Sequence, residues 1–267
     1  MNTTEDKLKA FQRLLDVMDE LRLKCPWDKK QTFESLRANT IEETYELCDA
    51  IMKKDMKEIR KELGDVLLHI VFYSKIASET NDFDIADVCN SLCDKLIFRH
   101  PHVFGEGAAK TAGEVEQTWE QIKRKEKDGN KSVLSGVPDA LPALIKSYRI
   151  QDKARNVGFD WEEKEQVWDK VKEEFDELMT EVKHLDAEKM EEEFGDLMFS
   201  MVNAARLYKI NPENALEKCN QKFIRRFNYV ESQTLAKGKD LKEMPLEEMD
   251  RYWNEAKKLE REVKNLE

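Results

Sequence analysis

The chain has 267 residues, enough for two domains of ordinary size. Charged residues make up 38% and glycine only 9 positions, which suits long amphipathic helices and gives little to a turn-rich β fold. The net charge of −11 argues against a nucleic-acid polymer or an anionic membrane as partner.

Taken in order, nearly every segment reads as helix. The first helix, over 7–23, carries Leu8, Phe11, Leu15, Met18 and Leu21 on one stripe, and Cys25-Pro26-Trp27-Asp28 breaks it. Helices are predicted over 34–53, 55–79 and 85–99, with Asp84 capping the last and Pro101 ending it. A small-residue loop over 105–113 leads to a helix over 114–127. Gly129, Gly136, Pro138 and Pro142 then mark a break. The second half repeats the plan over 167–182, 189–208, 212–236 and 246–266, with Asn211-Pro212 as a capped start. The expectation is an all-α tandem of two helical bundles, 1–128 and 145–267, joined by a linker over 129–144.

Five cysteines (Cys25, Cys48, Cys89, Cys93 and Cys219) are scattered without C-x-x-C spacing, as expected of reduced thiols. The charged N-terminus carries no signal-peptide pattern, and the longest apolar run is too short to cross a bilayer. A cytoplasmic protein without a membrane partner is expected.

The most informative feature is a repeat of carboxylates. Glu43, Glu46, Glu62 and Asp65 recur as Glu174, Glu177, Glu193 and Asp196, each at an offset of 131. Acids occupy 56 of 267 positions, so four prescribed carboxylates recur at one fixed offset with a probability of about 0.002. Acids three apart share one helical face. His184-Leu185-Asp186-Ala187 is a short turn between two of the predicted helices, and both acid pairs of the second half are centred on Leu185. In an antiparallel hairpin Glu177 therefore faces Glu193, and Glu174 faces Asp196. The first half has the same symmetry about Lys54. Four converging carboxylates repel one another unless a cation neutralises them, and hard divalent ions take oxygen ligands. Mg²⁺ usually completes its shell with water and substrate phosphates, so the pattern points to Mg²⁺ with a phosphorylated substrate, Mn²⁺ being the alternative ion.

Basic residues accompany the acids. Lys95 and Arg99, and again Lys222 and Arg226, are four apart on one face, a spacing suited to phosphate oxygens. Lys170 and Lys189 each precede an acid of the second cluster by four residues, whereas their first-half counterparts are Asn39 and Glu58. Asn203 follows Asp196 by two turns where the first half has Phe72. Trp119 and Trp253 could each stack on a base or simply pack. Together these contrasts make 145–267 the expected catalytic unit.

Cys25-Pro26-Trp27-Asp28 with Gln31-Thr32, Glu42-Glu43-Thr44-Tyr45-Glu46, Glu62-Leu63-Gly64-Asp65 and Arg99-His100-Pro101-His102-Val103-Phe104 resemble the MazG family of nucleoside triphosphate pyrophosphohydrolases. The resemblance extends through Asn156-Val157-Gly158-Phe159-Asp160-Trp161 and Lys222–Phe227, covering nearly the whole chain. It implies an all-α fold and a homodimer. It also implies Mg²⁺-dependent hydrolysis of NTP or dNTP to monophosphate and pyrophosphate, as in nucleotide-pool house-cleaning. In that reading Glu174, Glu177, Glu193 and Asp196 are the metal ligands and catalytic acids, and Lys170, Lys189, Lys222, Arg226 and Trp253 bind substrate. Two alternatives stand beside it: a pyrophosphohydrolase for dUTP or phosphoribosyl-ATP, and a non-catalytic nucleotide-sensing module. A di-iron carboxylate bundle needs two Glu-x-x-His motifs, and only Glu181–His184 fits.

Overall fold

Thr3 starts the first helix. Its hydroxyl accepts from the Asp6 amide while the Asp6 carboxylate accepts from the Thr3 amide, a reciprocal cap that extends the predicted helix to α1, Thr4–Lys24. The computed structural model describes residues 1–105, 111, 115, 122 and 132–264. Most of the expected helix over 114–127, including Trp119, and most of the loop over 105–113 lie outside the described residues.

Among the described residues the first unit continues with the α-helices α2 (Phe33–Lys53), α3 (Met56–Glu79), α4 (Ile85–Arg99) and the single turn α5 (Pro101–Phe104). Lys54 adopts a left-handed conformation, φ 57°, and Asp55 caps α3, so the chain reverses within two residues and lays α3 along α2. Met18, Leu36, Val71 and Phe72 form the core beneath this hairpin. Arg22, at the end of α1, reaches the carbonyls of Asp28 and Gln31 and the Glu79 carboxylate, which fixes the Cys25–Asp28 break against α3. His100 sits between α4 and α5 with Nδ1 2.6 Å from the Leu96 carbonyl, a capping position.

The second unit holds α6 (Ala143–Arg155), α7 (Val167–His184), α8 (Ala187–Leu207), α9 (Pro212–Ala236) and α10 (Leu246–Lys264). Its central hairpin repeats the device of the first: Leu185 is left-handed at φ 58°, Asp186 caps α8, and α7 and α8 pack along their length. Trp168 donates to the Tyr208 hydroxyl at 3.1 Å and ties the open ends of the hairpin together. A second hairpin, α9 with α10, closes over Val230, Met244 and Tyr252.

Helix α6 was not among the predicted elements. Its Leu144, Ile145, Ile150 and Ala154 follow helical spacing, but the nearby prolines and glycine mask the pattern. No strand occurs among the described residues, and no helix among them is long and apolar enough to cross a membrane. The chain falls into two compact units, Met1–Lys110 and Thr111–Glu267; residues 132–144 belong to the second, and Ala143 and Leu144 begin α6. All five cysteines are free thiols.

Candidate functional site

The α7–α8 hairpin brings its acids together. Glu174, Glu177 and Glu193 each offer a carboxylate oxygen within 4.8 Å of the others. Asp196 lies outside that tight group but is near enough to raise the pKa of Glu193, after burial and Glu177. Glu174 is buried, Glu193 half-buried and Glu177 exposed, so the cluster opens on one side. Glu193 Oε2 is buried and has no hydrogen-bond partner. A buried carboxylate oxygen left unpaired among other carboxylates is costly, and a bound cation removes that cost. These residues can therefore hold a metal ion, and the oxygen-only donor set matches Mg²⁺ or Ca²⁺ rather than a soft metal.

The first unit builds a similar cluster. Glu43, Glu62 and Asp65 converge within the same 4.8 Å limit, and Glu62 Oε2 is buried and unpartnered. Burial first, then Asp65, Glu46 and Glu62, push the Glu43 carboxyl above its ordinary range. Glu46 stays outside the tight group. Lys61 binds the other oxygen of Glu62 at 2.7 Å.

The surroundings of the two clusters differ. Beside the second lies a cleft of about 670 Å³, with Lys170, Glu174 and Asp196 on one wall and Phe159, Trp161 and Phe199 among its apolar lining. At the offset of 131, Asn203 of this cleft corresponds to Phe72, which is 3% exposed and part of the first unit's core. The first half thus has a buried phenyl ring at the sequence position where the second half has an amide bordering the cleft.

An ion pair that sequence reading missed holds the cleft together. Arg206 on α8 binds both oxygens of Asp160, and its Nε and a terminal nitrogen donate to Asn203 Oδ1 at 3.1 and 2.8 Å. The Arg206 side chain is 4% exposed and that of Asp160 18%. Removing one partner of such a pair costs about 3–5 kcal/mol, since the other charge stays buried. The pair docks the loop after α6, where Gly158 takes φ +89°, a conformation that disfavours side-chain-bearing residues. The only sequence signal was the Gly-Phe-Asp-Trp run itself, which names no partner.

The predicted phosphate-binding cations are dispersed. Lys170 pairs with Glu174 at 2.8 Å and Glu173 at 2.9 Å, and these two carboxylates hold its ammonium charged well above the ordinary lysine range. Lys189 is exposed at the far end of the hairpin, 4.0 Å from Glu181, which also meets His184. Arg226 binds Glu260 through two nitrogens at 2.8 and 2.7 Å and lies over the Trp253 ring. Lys222 is exposed on the same helix. Lys222, Arg226 and Trp253 thus belong to the α9–α10 hairpin and do not line the cleft. In the first unit Lys95 and Arg99 fall on α4, and Trp27 is 58% exposed beside Asp28.

Comparison with known proteins identifies relatives of this chain. Residues 31–104 and 162–231 each match the MazG nucleotide pyrophosphohydrolase domain. The nucleoside triphosphate pyrophosphohydrolase of Escherichia coli K12 is 44% identical over 260 residues, spanning 95% of this chain and 99% of that protein. The nucleoside triphosphate pyrophosphohydrolase/pyrophosphatase MazG of Thermotoga maritima is 46% identical over 250 residues, 92% of this chain and 95% of its own. A solved mazG-related protein from Thermotoga maritima aligns over 43% of this chain at 27% identity with a TM-score of 0.38.

Proposed function

The chain belongs to the MazG nucleotide pyrophosphohydrolase family, and from that premise we propose that it hydrolyses nucleoside triphosphates to monophosphate and pyrophosphate at the acid cluster of its second half. The observation that carries this reading is the convergence of Glu174, Glu177 and Glu193, with the orphaned Glu193 Oε2, at the edge of a cleft large enough for a small molecule. The names of the relatives supply the substrate class.

Glu174, Glu177, Glu193 and Asp196 are the proposed ligands of Mg²⁺. Bound there, the ion would neutralise charge on the phosphates and lower the pKa of a coordinated water that attacks the α-phosphorus. Lys170 pairs with Glu174 at 2.8 Å and so restrains that carboxylate within the cluster. Lys189, Lys222 and Arg226 are the proposed contacts for the substrate phosphates; none of them lines the cleft, and in the free protein Lys189 lies 4.0 Å from Glu181 and Arg226 is paired with Glu260. Domains 1–128 and 145–267 act in this reading as an assembly or regulatory half and a catalytic half. Phe72 in place of Asn203 supports that division. Exposed apolar side chains on α3 and α8, among them Leu67, Ile70, Met198 and Met201, support a homodimer. Clearing unwanted triphosphates from the nucleotide pool is the cellular role proposed.

The test is incubation of the full chain with Mg²⁺ and a panel of NTPs and dNTPs, with products resolved by chromatography. Monophosphate and pyrophosphate in equal amounts is the expected result. Diphosphate with orthophosphate would replace the reading with a phosphatase.

A further inference from the structure

Cys89 and Cys93 are four residues apart on α4, about one helical turn, so both thiols leave the helix on one side. Both are free and exposed, and neither belongs to an acid cluster. The other cysteines have no such neighbour in sequence: Cys25 follows α1, Cys48 lies on α2 and Cys219 on α9. Leu92, Leu96 and Ile97, each three or four residues from one of the thiols, surround the pair with exposed apolar surface.

The separation decides what the pair can do. Side chains four apart on a helix have Cβ atoms about 5–6 Å apart. A disulfide needs them within about 3.5–4.5 Å, so forming one would have to open the helix. A metal ion asks for less. Metal–thiolate bonds of about 2.3 Å let one ion bridge sulfurs up to about 4.6 Å apart. Rotation about χ1 brings the two sulfurs to that distance with the helix intact. Thiolates are soft donors and select Cu(I) or Zn²⁺ over Mg²⁺. Structural zinc takes four ligands, and among the described residues no third carboxylate, imidazole or thiol joins the pair. Cu(I) is satisfied by two thiolates in a line.

We propose that Cys89 and Cys93 form a binding site for a soft monovalent cation, Cu(I), held as a two-coordinate dithiolate. Binding displaces both thiol protons to solvent, so affinity rises with pH. The ion is neither oxidised nor reduced. The rim of Leu92, Leu96 and Ile97 limits water at the sulfurs, which favours the soft complex over the hydrated ion. The site belongs to the first unit and does not depend on the triphosphate reading.

The experiment titrates the reduced full chain with Cu(I) in the absence of oxygen, against a chromophoric Cu(I) chelator that reports the ion left unbound. Wild type is expected to withdraw one ion per chain. Cys89→Ser and Cys93→Ser should each weaken binding by about 100-fold or more, because a single thiolate lacks the gain of two-point attachment. Cys48→Ser and Cys219→Ser should leave it unchanged. A double variant, Cys93→Ser with Asp94→Cys, keeps the thiol count but sets the second thiol about 140° round the helix from the first. It should bind no better than Cys93→Ser alone. All of these positions are exposed, so none of the changes touches a core. X-ray absorption of the loaded chain is expected to show two sulfur neighbours and no nitrogen or oxygen. Binding that survives either single serine variant, or that returns in the displaced one, would overturn the proposal. So would a wild type that leaves the ion with the chelator, or a loaded ion with more than two ligands.

Discussion

Glu177→Gln is expected to lower kcat on the order of 100-fold or more, while Glu46→Gln, its counterpart in the first half, leaves kcat within about twofold. Both glutamates are exposed, so exchanging a carboxylate for an amide of the same shape disturbs neither core. The contrast therefore reads metal binding and chemistry rather than folding. Glu177 lies in the tight group with Glu174 and Glu193, beside an open cleft. Glu46 lies outside the tight group of the first unit, where Phe72 is packed into the core. Steady-state kinetics of the two full-length variants checks the prediction. Equal losses would mean that both halves contribute to turnover and would defeat the assignment to the second.

Removing divalent metal is expected to abolish turnover and also to lower the melting temperature, with Mg²⁺ restoring both. The stability effect has a physical origin in the unbound protein. Burial, then Glu177, Asp196 and Glu174, push the Glu193 carboxyl up, and Glu43 is likewise pushed up by burial, then Asp65, Glu46 and Glu62. Carboxylates raised in this way are held together against their own repulsion when ionised, and a cation that binds only the folded state relieves it. At 100 times its dissociation constant such an ion adds about 2.7 kcal/mol, which for a unit of this size raises the melting temperature by roughly 5–10 °C. Calorimetric scans in chelator and in Mg²⁺ measure the shift. It should shrink in Glu193→Gln, which keeps the shape of the side chain and removes its charge. An unchanged melting temperature would mean that the clusters do not bind the ion.

The parts of the molecule that follow from local periodicity were legible in the sequence. The α7–α8 hairpin and its turn at Leu185 could be placed because the acids are spaced symmetrically about that residue, and left-handed Leu185 with Asp186 as cap realises the reversal. The start of α2 shifted by one residue because Thr32 and Ser35 cap each other there. Helix α6 stayed hidden because Gly136, Pro138 and Pro142 dominate the reading of the segment before it. Its loss also concealed Gln151, a buried cleft residue that donates to the Phe199 carbonyl 48 positions away.

The site was legible in its acids and not in its cations. A carboxylate cluster follows from spacing along two helices joined by a tight turn. The places of Arg226 and Asp160 depend on Glu260 and Arg206, partners far away in sequence. Nothing in the spacing of Lys222 and Arg226 distinguishes a phosphate clamp from a hairpin that holds α9 against α10. Nor does spacing say which three of four carboxylates draw closest, and the two halves differ on this point: Glu177 joins the group in one, Asp65 in the other.

The most direct test of the whole account is a crystal structure of the full chain grown with Mn²⁺ and an α,β-imido nucleoside triphosphate, using the anomalous signal to locate the ion. The account predicts an anomalous peak about 2.2 Å from oxygens of Glu174, Glu177 and Glu193, the coordination distance of a hard divalent ion, with the triphosphate completing its shell. A peak away from these carboxylates, or a nucleotide bound where none of them can reach its phosphates, would contradict it.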